Sequence, residues 1–308
     1  MSKPLNVRNP EEEITFLVNA NWPAMWKLFV SLWNSEQDMF TNASLTSAIQ
    51  RNANIPKQWL DRWEKDYQTF IADSLQNYWT SALVKGGDNI SGGIINMFGA
   101  APFRVSLPGL YAQQWIVDQM GSHLDAFTLT QFKSTQYILA EYGLRLGYNV
   151  YDLAKYLQNT VGLNERQTLA LAKYSDSLSR NLTSPLSTRQ QEQIQKKIDK
   201  YRQQLLRARA FMIAQTELAG AYSNGQIDAF KEYKKKGWLP NDLIYKKEWV
   251  TVPDERLCPR CRALDRMSAD MEGAFSVEKF ANLFPLTPPA HPRCRCSINI
   301  IAIERDSI

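Results

Sequence analysis

The sequence predicts a mainly α-helical protein with a small α+β module at its C-terminus, built from short antiparallel strands and clipped by zinc. Apolar residues recur at helical spacing along most of the chain up to Gly237, and strand-like alternation follows only after it. The last quarter also contains all four cysteines and one of the two histidines. These are Cys258, Cys261, His291, Cys294 and Cys296.

Composition excludes several classes of protein. An apolar content of 44% and a charged content of 22% are typical of a soluble globular chain, and 308 residues allow about two domains. Runs of about 18 apolar residues are missing, so we expect no membrane association. The N-terminus lacks the apolar segment of a signal peptide, which predicts folding in the cytoplasm. In that compartment clustered cysteines indicate a metal site more often than disulfides.

Residues 1–109 are predicted to be a Trp-rich helical region. Seven of the nine tryptophans lie between Trp22 and Trp115. The spacing predicts one helix over 11–34, with Pro23 as a break or a first-turn residue, and a second helix from Pro56 to about residue 85. The aromatic stripe favours core packing, and rings left exposed would instead anchor a protein partner.

Within this region, residues 86–109 have a different composition. They are rich in glycine, and no charged residue occurs from Asn89 to Phe103. We predict a long loop, since an uncharged glycine-rich stretch gives no clear helical face. Two interpretations remain open for this segment, a flexible arm that orders against a neighbouring subunit and an ordinary interdomain linker.

Residues 110–188 are predicted to be a second helical region. Helices are expected over 111–127 and 130–146, followed by a short one over 151–158. Asn164 is a good N-cap for the next helix, because its side chain can accept a hydrogen bond from a free backbone N–H. The Ser-Pro pair at 184–185 should end this region.

Residues 189–237 are predicted to form a long basic helical stretch that ends at Gly237, with a kink or a division at Asn224-Gly225. Residues 189–308 contain 21 Lys and Arg against 15 Asp and Glu, whereas residues 1–188 are nearly balanced. The basic excess therefore lies in the C-terminal part. It permits contact with nucleic acid or with an acidic protein surface, and a solvated basic face is an equally good interpretation.

Residues 238–308 are predicted to be a small α+β module. Glu248–Val252 and Cys296–Ile303 alternate as strands do and are rich in β-branched residues. Pairing of the two strands would bring the Cys258-x-x-Cys261 turn close to the residues around Cys294.

A Cys-x-x-Cys turn presents two thiolates to one ion, and a second pair of ligands from a distant segment completes a structural zinc site. Here His291, Cys294 and Cys296 offer three candidates for that second pair, so which four of the five residues bind metal stays open. Reduced thiols without metal, or disulfides formed after release from the cell, are the alternatives. No catalytic residue and no cofactor-binding residue is predicted, because no nucleotide loop or catalytic constellation occurs.

Three segments in order carry a family resemblance. They are Gly162-Leu-Asn-Glu-Arg-Gln-Thr168, Arg207-Ala-Arg-Ala-Phe-Met-Ile-Ala-Gln-Thr-Glu217, and the closing Lys247-Glu-Trp249…Asp254…Cys258-x-x-Cys261…His291-Pro-x-Cys294-x-Cys296. Over about residues 140–303 the chain resembles phage Mu F-like head morphogenesis (minor capsid) proteins. Two departures are Gln215, where the family usually has arginine, and Arg266, where glycine is common.

The resemblance implies a non-enzymatic minor virion protein of a tailed phage, located in the head interior near the portal and in the host cytoplasm during assembly. Expected partners are the portal protein, capsid or scaffold proteins, and double-stranded DNA bound non-specifically during packaging or release. A zinc-containing nucleic-acid-binding protein is the alternative, and a hydrolase or nuclease is a weaker one. The side chains expected to face DNA are Lys196, Lys197, Arg202, Arg207, Arg209, Lys234, Lys235 and Lys236.

Overall fold

The computed structural model describes residues 3–50, 55–99, 109–145, 149–179, 187–277 and 286–304. Within them the helices are α1 (Pro10–Gln37), α2 (Asn42–Gln50), α3 (Lys57–Phe70), α4 (Gln76–Phe98), α5 (Leu110–Ile138), α6 (Val150–Thr160), α7 (Glu165–Ser179), α8 (Thr188–Lys235) and α9 (Pro259–Leu264). The strands are β1 (Lys3–Pro4), β2 (Leu243–Val250), β3 (Ser268–Asp270) and β4 (Ser297–Glu304). The predicted fold class, mainly α with a small antiparallel module, is confirmed.

Two π-helical stretches interrupt the regular helices. Ile71–Leu75 joins α3 to α4, and Leu139–Arg145 continues α5. Among the helices of the described ranges, none is both long enough and apolar enough to cross a membrane.

The chain forms two compact units. The first is made of Met1–Pro23, Leu75–Gln119 and Met212–Ile308, and the second of Ala24–Ser74 and Met120–Phe211. Each unit combines segments that are far apart in the sequence. The sequence analysis instead divides the chain into four consecutive regions. This difference arises because periodicity identifies each helix but does not indicate which distant helix it packs against.

The first unit corrects the prediction of a loop at 86–109. Residues 86–98 are the last turns of α4, so the prediction is wrong for them, and residues 100–108 lie outside the described part of the chain. The glycines serve close helix packing. A Cβ on Gly86 would overlap with the carbonyl oxygen of Tyr222 on α8, and one on Gly225 of α8 would overlap with the carbonyl oxygen of Leu83 on α4. Only residues without a side chain permit this crossing distance.

The sheet of the first unit has the strand order β1-β4-β2-β3, and all neighbouring strands are antiparallel. The predicted pairing of the two C-terminal strands is confirmed, with Trp249 opposite Ile298 in the register of β2 and β4. The chain's N-terminal segment adds β1, and the Leu5 N–H donates to the Ile300 carbonyl at 2.7 Å. One face of the sheet packs on α8 around Phe230, which is 1% exposed.

The second unit has an aromatic core. Phe29 lies 4.9 Å from Phe70 between ring centroids, and Tyr67 lies 5.2 Å from Phe127. Core packing, one of the two interpretations of the aromatic stripe, is confirmed for four of the tryptophans, three of them in the second unit and Trp79 in the first unit. The buried rings are Trp33, Trp59, Trp63 and Trp79.

Several predicted helix boundaries are corrected. Pro23 lies inside α1 without ending it, although proline removes one backbone hydrogen bond. The two helices expected over 111–127 and 130–146 are one helix, α5, followed by a π-helical stretch. The helix α8 runs through Asn224-Gly225 undivided.

Two helix ends follow the sequence signals closely. The Asn164 side chain accepts from the Gln167 N–H at 2.9 Å while the Gln167 side chain accepts from the Asn164 N–H at 3.2 Å, a reciprocal cap that begins α7. Gly237, with φ of +72°, ends α8, and the Trp238 N–H donates to the Tyr233 carbonyl at 3.0 Å. Both predicted signals are confirmed.

Candidate metal centre

The first half of the centre is a turn that leads into a short helix. Cys258 is the N-cap of α9, and Pro259 occupies the first helical position, where its missing N–H costs nothing. The Cys258 Sγ accepts from the Cys261 N–H at 3.3 Å. This cap directs both sulfur atoms to the same side, since residues three apart on a helical turn share a face.

The second half lies just before β4. The Cys294 N–H donates to the His291 carbonyl at 3.1 Å, which closes a turn that contains Arg293 at a φ of +65°. Cys294 is 1% exposed and Cys296 is 2% exposed. Because β4 pairs with β2 over its whole length, the sheet fixes this turn against the α9 turn.

His291 bridges the two halves. Its Nε2 lies 3.1 Å from the Cys258 Sγ and 3.0 Å from the Cys261 Sγ. Its Nδ1 lies 2.8 Å from the Pro292 carbonyl oxygen, which can only accept, so a neutral His291 ring carries its proton on Nδ1. In that tautomer the Nε2 lone pair points at the thiols, as a metal-binding histidine requires.

The five side chains form two overlapping groups of three. One group is Cys258, Cys261 and His291, the other is Cys261, Cys294 and Cys296, and the ligand atoms within each group lie within 4.8 Å of one another. Cys261 belongs to both groups. Its Sγ is 3.7 Å from the Cys294 Sγ, close to the separation of about 3.8 Å between two thiolates on one tetrahedral zinc ion.

All five side chains line one pocket of about 30 Å³, together with five neighbouring residues. The donors are soft sulfur atoms and one imidazole nitrogen, the set that zinc prefers in structural sites. The cluster could therefore hold one metal ion, as the sequence predicted.

The electrostatics of the thiols also favour a cation. The neighbouring thiols of Cys261 and Cys296 donate to Cys294 and hold the pKa of Cys294 far below its usual value. The same interactions raise the pKa of Cys261 well above its usual value. Without a cation, one thiolate suppresses ionisation of its neighbours. A bound divalent metal would remove this conflict, because it stabilises every thiolate that coordinates it.

An ion pair closes the rim of the centre. The guanidinium of Arg295, which lies between the two buried cysteines, donates to both Asp254 carboxylate oxygens at 2.7 and 2.6 Å. These bonds hold the pKa of Asp254 well below its usual range. The contact joins the loop after β2 to the turn before β4, so it supports both halves of the centre.

Comparison with known proteins identifies this part of the chain. Residues 176–299 match the Phage Mu protein F like protein family. The matched range contains all five cysteine and histidine candidates together with the whole of α8, so the predicted resemblance is confirmed over these residues. No curated protein and no solved structure matches the chain significantly.

The acidic residues of the F-like segment are engaged individually. Trp79 donates through Nε1 to Glu217 at 3.1 Å, and Thr251 donates through Oγ1 to Asp265 at 2.7 Å. Together with Asp254 on Arg295, each of these three carboxylates has a different structural partner. The geometry pairs none of them with another for acid-base chemistry.

Lys247, which the sequence marks only as part of the closing signature, is a buried cation. It is 2% exposed, its Nζ donates to the Leu286 carbonyl at 2.6 Å, and it lies 5.5 Å from the centre of the Phe275 ring. Burial lowers the pKa of Lys247 to about 8. The available signal was its position on β2, two residues before the buried Trp249 and therefore on the same face of the strand.

The structure divides the residues that were expected to face DNA. Arg202 and Arg209 are buried, so the prediction is wrong for them. Arg202 donates to the Asn159 and Val161 carbonyls at 3.0 and 3.4 Å, and Arg209 donates to the Gly162 carbonyl at 2.7 Å, so both hold the end of α6. The remaining residues of that set are exposed, namely Lys196, Lys197, Arg207, Lys234, Lys235 and Lys236.

Proposed function

We propose that the protein is a non-enzymatic minor head protein of a tailed phage, which associates with the portal and acts in head assembly and in DNA packaging or release. The observation that carries this proposal is the family match over residues 176–299. A phage head morphogenesis protein is the function this match supports, and a location in the virion follows from it.

The metal centre has a structural role in this proposal. Cys258, Cys261, His291 and Cys294 hold one zinc ion, because these four combine the group around His291 with the sulfur 3.7 Å from Cys261. Cys296 is then a buried neighbour of the site and does not bind the ion. Bound zinc would supply folding free energy by linking the α9 turn to the turn before β4. The working surfaces of the protein then lie outside the centre.

Two exposed basic groups of α8 provide a surface for DNA. Lys196, Lys197 and Arg207 lie on the N-terminal half of the helix, and Lys234, Lys235 and Lys236 at its end. Such contacts neutralise phosphates without reading sequence, so binding should weaken steeply as salt is raised. This surface supports the proposed role in packaging or release.

Exposed apolar side chains provide a candidate surface for the portal. Leu110 is 70% exposed and Val117 is 60% exposed, seven residues apart on α5 and therefore on one face of the helix. Phe16 on α1 is 68% exposed. Large apolar side chains in contact with water are natural anchors for a protein partner. They replace the tryptophans in this role, since four of those rings are buried.

Co-expression with the portal, major capsid and scaffold proteins of the same phage tests the proposal. We expect the portal to co-purify with the protein, and a Leu110→Ser/Val117→Ser variant to lose it. A Gln113→Ser/Gln114→Ser variant, which changes exposed polar residues on the same helix, is the matched control. Co-purification with none of the three, or a sequence-selective DNA complex instead, would overturn the proposal.

A further inference from the structure

The two segments that contribute the metal-centre side chains are rich in arginine. Residues 254–266 and 286–296 contain six arginines and no lysine, against three acidic residues. A guanidinium presents a planar fork of N–H donors that matches a phosphate, whereas a lysine ammonium acts as a point charge. None of the six belongs to the basic groups on α8. They are Arg256, Arg260, Arg262, Arg266, Arg293 and Arg295.

Half of these arginines bind carboxylates of the protein. Arg295 donates to both oxygens of Asp254, and Arg256 donates to the same carboxylate at 3.3 Å. Arg266 donates to Glu248 at 3.1 Å. The other three are exposed and form no ion pair with any residue in the described part of the chain. These three, which we call the arginine triad, are Arg260, Arg262 and Arg293.

The metal centre brings the triad together from two distant segments. Arg260 and Arg262 are the neighbours of Cys261 in the chain, and Arg293 directly precedes Cys294. The two sulfur atoms lie 3.7 Å apart. Because consecutive Cα atoms are about 3.8 Å apart, the three arginines leave the backbone within about 15 Å of one another. Along one strand of a DNA duplex, with a rise of about 3.4 Å per phosphate, this distance covers about four phosphates.

The backbone at Arg293 is a second, independent observation. Its φ is +65°, in the left-handed region that glycine adopts freely and that other residues adopt at a cost in free energy. Among the described residues, the only other non-glycine position with a positive φ is Arg266. Arg293 therefore occupies a position where glycine would fit the backbone better, which indicates a role for its side chain.

The surroundings of the triad favour a polyanion over a protein partner. Within the described residues of the two segments, Leu286 is the one large apolar side chain that is exposed. Protein interfaces depend on several such anchors, whereas contacts with phosphates depend on exposed cations.

We propose that the arginine triad binds the phosphate backbone of double-stranded DNA, at a surface that the metal centre holds together. This inference rests on the proposed role in DNA packaging or release, and it adds a surface to the one on α8. Each guanidinium neutralises one phosphate and displaces its counterion, so these contacts carry no sequence information and weaken as salt is raised.

A triple variant of the full-length protein tests the triad. Arg260→Gln/Arg262→Gln/Arg293→Gly should bind a labelled duplex of about 20 base pairs about tenfold more weakly than the wild type at about 100 mM salt. The slope of log affinity against log salt should decrease by about three, because three phosphate contacts are lost. Fluorescence anisotropy over a range of salt concentrations measures both quantities.

A matched control removes the same charge elsewhere. Lys57→Gln/Lys65→Gln/Lys173→Gln changes three exposed lysines of the second unit. This variant should keep the affinity within about twofold and should keep the salt slope of the wild type.

The single variant Arg293→Gly separates DNA binding from folding. It relieves the left-handed backbone, so it should melt at the temperature of the wild type or higher, yet it should bind DNA several-fold more weakly. Arg266→Gly relieves the same conformation and removes an arginine that is already paired with Glu248. It should leave the DNA affinity within about twofold of the wild type.

Wild-type DNA affinity in the triple variant, or an equal loss in the lysine control, would overturn the triad as a DNA site. An equal loss of binding to poly-L-glutamate would also overturn it, because the triad would then recognise negative charge of any kind. Co-purification with the portal decides the proposed function separately. A protein that retains the portal but shows no effect of the triad refutes this inference alone, whereas loss of the portal with an intact triad effect refutes the proposed function alone.

Discussion

Gly225 of α8 lies directly against the Leu83 carbonyl of α4, with no room for a Cβ between them. The backbone of Leu83 cannot yield without moving the whole helix, so Gly225→Ala should force α4 and α8 apart. We expect the variant to lose about 1–3 kcal/mol of unfolding free energy, despite the higher helix propensity of alanine. Urea unfolding followed by circular dichroism measures the loss.

Gly220→Ala on the same helix is the control for this prediction. Its added Cβ would meet the Pro289 side chain at 3.3 Å, a contact that a small shift relieves. This variant should be neutral or slightly more stable, because alanine favours the helix. Equal destabilisation of the two variants would show that the close crossing is unimportant.

The glycines also show how far the sequence predicts this fold. Uncharged, glycine-rich composition occurs both in loops and in closely packed helices. The sequence around Gly86 alone therefore favours a loop as readily as a helix. Only the position of Tyr222, far away in the chain, distinguishes the two. The Asn164 cap and the Gly237 stop depend only on residues nearby in the chain, and both predictions are confirmed.

The same distinction applies to the candidate site. The Cys-x-x-Cys spacing is enough to predict Cys258 and Cys261 as metal ligands. The pairing of β2 with β4 could be inferred from the alternation of apolar and polar residues in both segments. Arg202 and Arg209 look like any other basic residues of a solvated helix. Their burial depends on carbonyls in the last turn of α6 and just after it, which accept hydrogen bonds from both guanidinium groups. The periodicity of α8 does not indicate those partners.

Single substitutions of the cysteines should show how much each one contributes to zinc binding. One zinc ion per chain is expected by elemental analysis of the wild type, and Cys261→Ser should abolish it because Cys261 belongs to both groups of ligands. Cys258→Ser should lose most of the zinc, and Cys296→Ser should retain it. A zinc chelator should then melt the sheet of the first unit. Full zinc content in Cys261→Ser, or none in Cys296→Ser, would contradict this assignment.

The burial of Glu36 predicts that the stability of the second unit depends on pH. The side chain is fully buried, and among the described residues only one of its oxygens has a partner, the Tyr67 hydroxyl at 3.2 Å. Burial raises the pKa of Glu36 to about 8. The folded state therefore holds a proton that the unfolded state releases above its pKa of 4.5. Stability is highest below that value and falls as the pH rises to about 8.

Glu36→Gln should remove this dependence, because a neutral amide has no proton to lose. Relative to the variant, the wild type should lose about 3 kcal/mol of unfolding free energy between pH 5 and pH 8. Glu64→Gln, at an exposed position on α3, is the control and should follow the wild type. Parallel stability profiles for the wild type and Glu36→Gln would refute the prediction.

The burial of Lys247 predicts that the unfolding free energy of the first unit increases with pH in the alkaline range, opposite to the effect of Glu36. Burial lowers the pKa of Lys247 from 10.5 to about 8, so between these values the unfolded state holds a proton that the folded state has released. Stability therefore rises with pH through this window, and the cost of burying the charged amine is fully present below pH 8.

Lys247→Met keeps the length and the apolar stem of the side chain and removes the charge. Between pH 7 and pH 10 the wild type should gain about 2.5 kcal/mol of unfolding free energy relative to this variant. Ionisation of tyrosines and cysteines cancels in the comparison, because both proteins contain the same ones. Lys246→Met, one position earlier on β2 with a half-buried side chain, should show no such gain. Denaturant titrations at several pH values measure the difference, and a constant difference would mean that the Lys247 amine remains charged in its buried position.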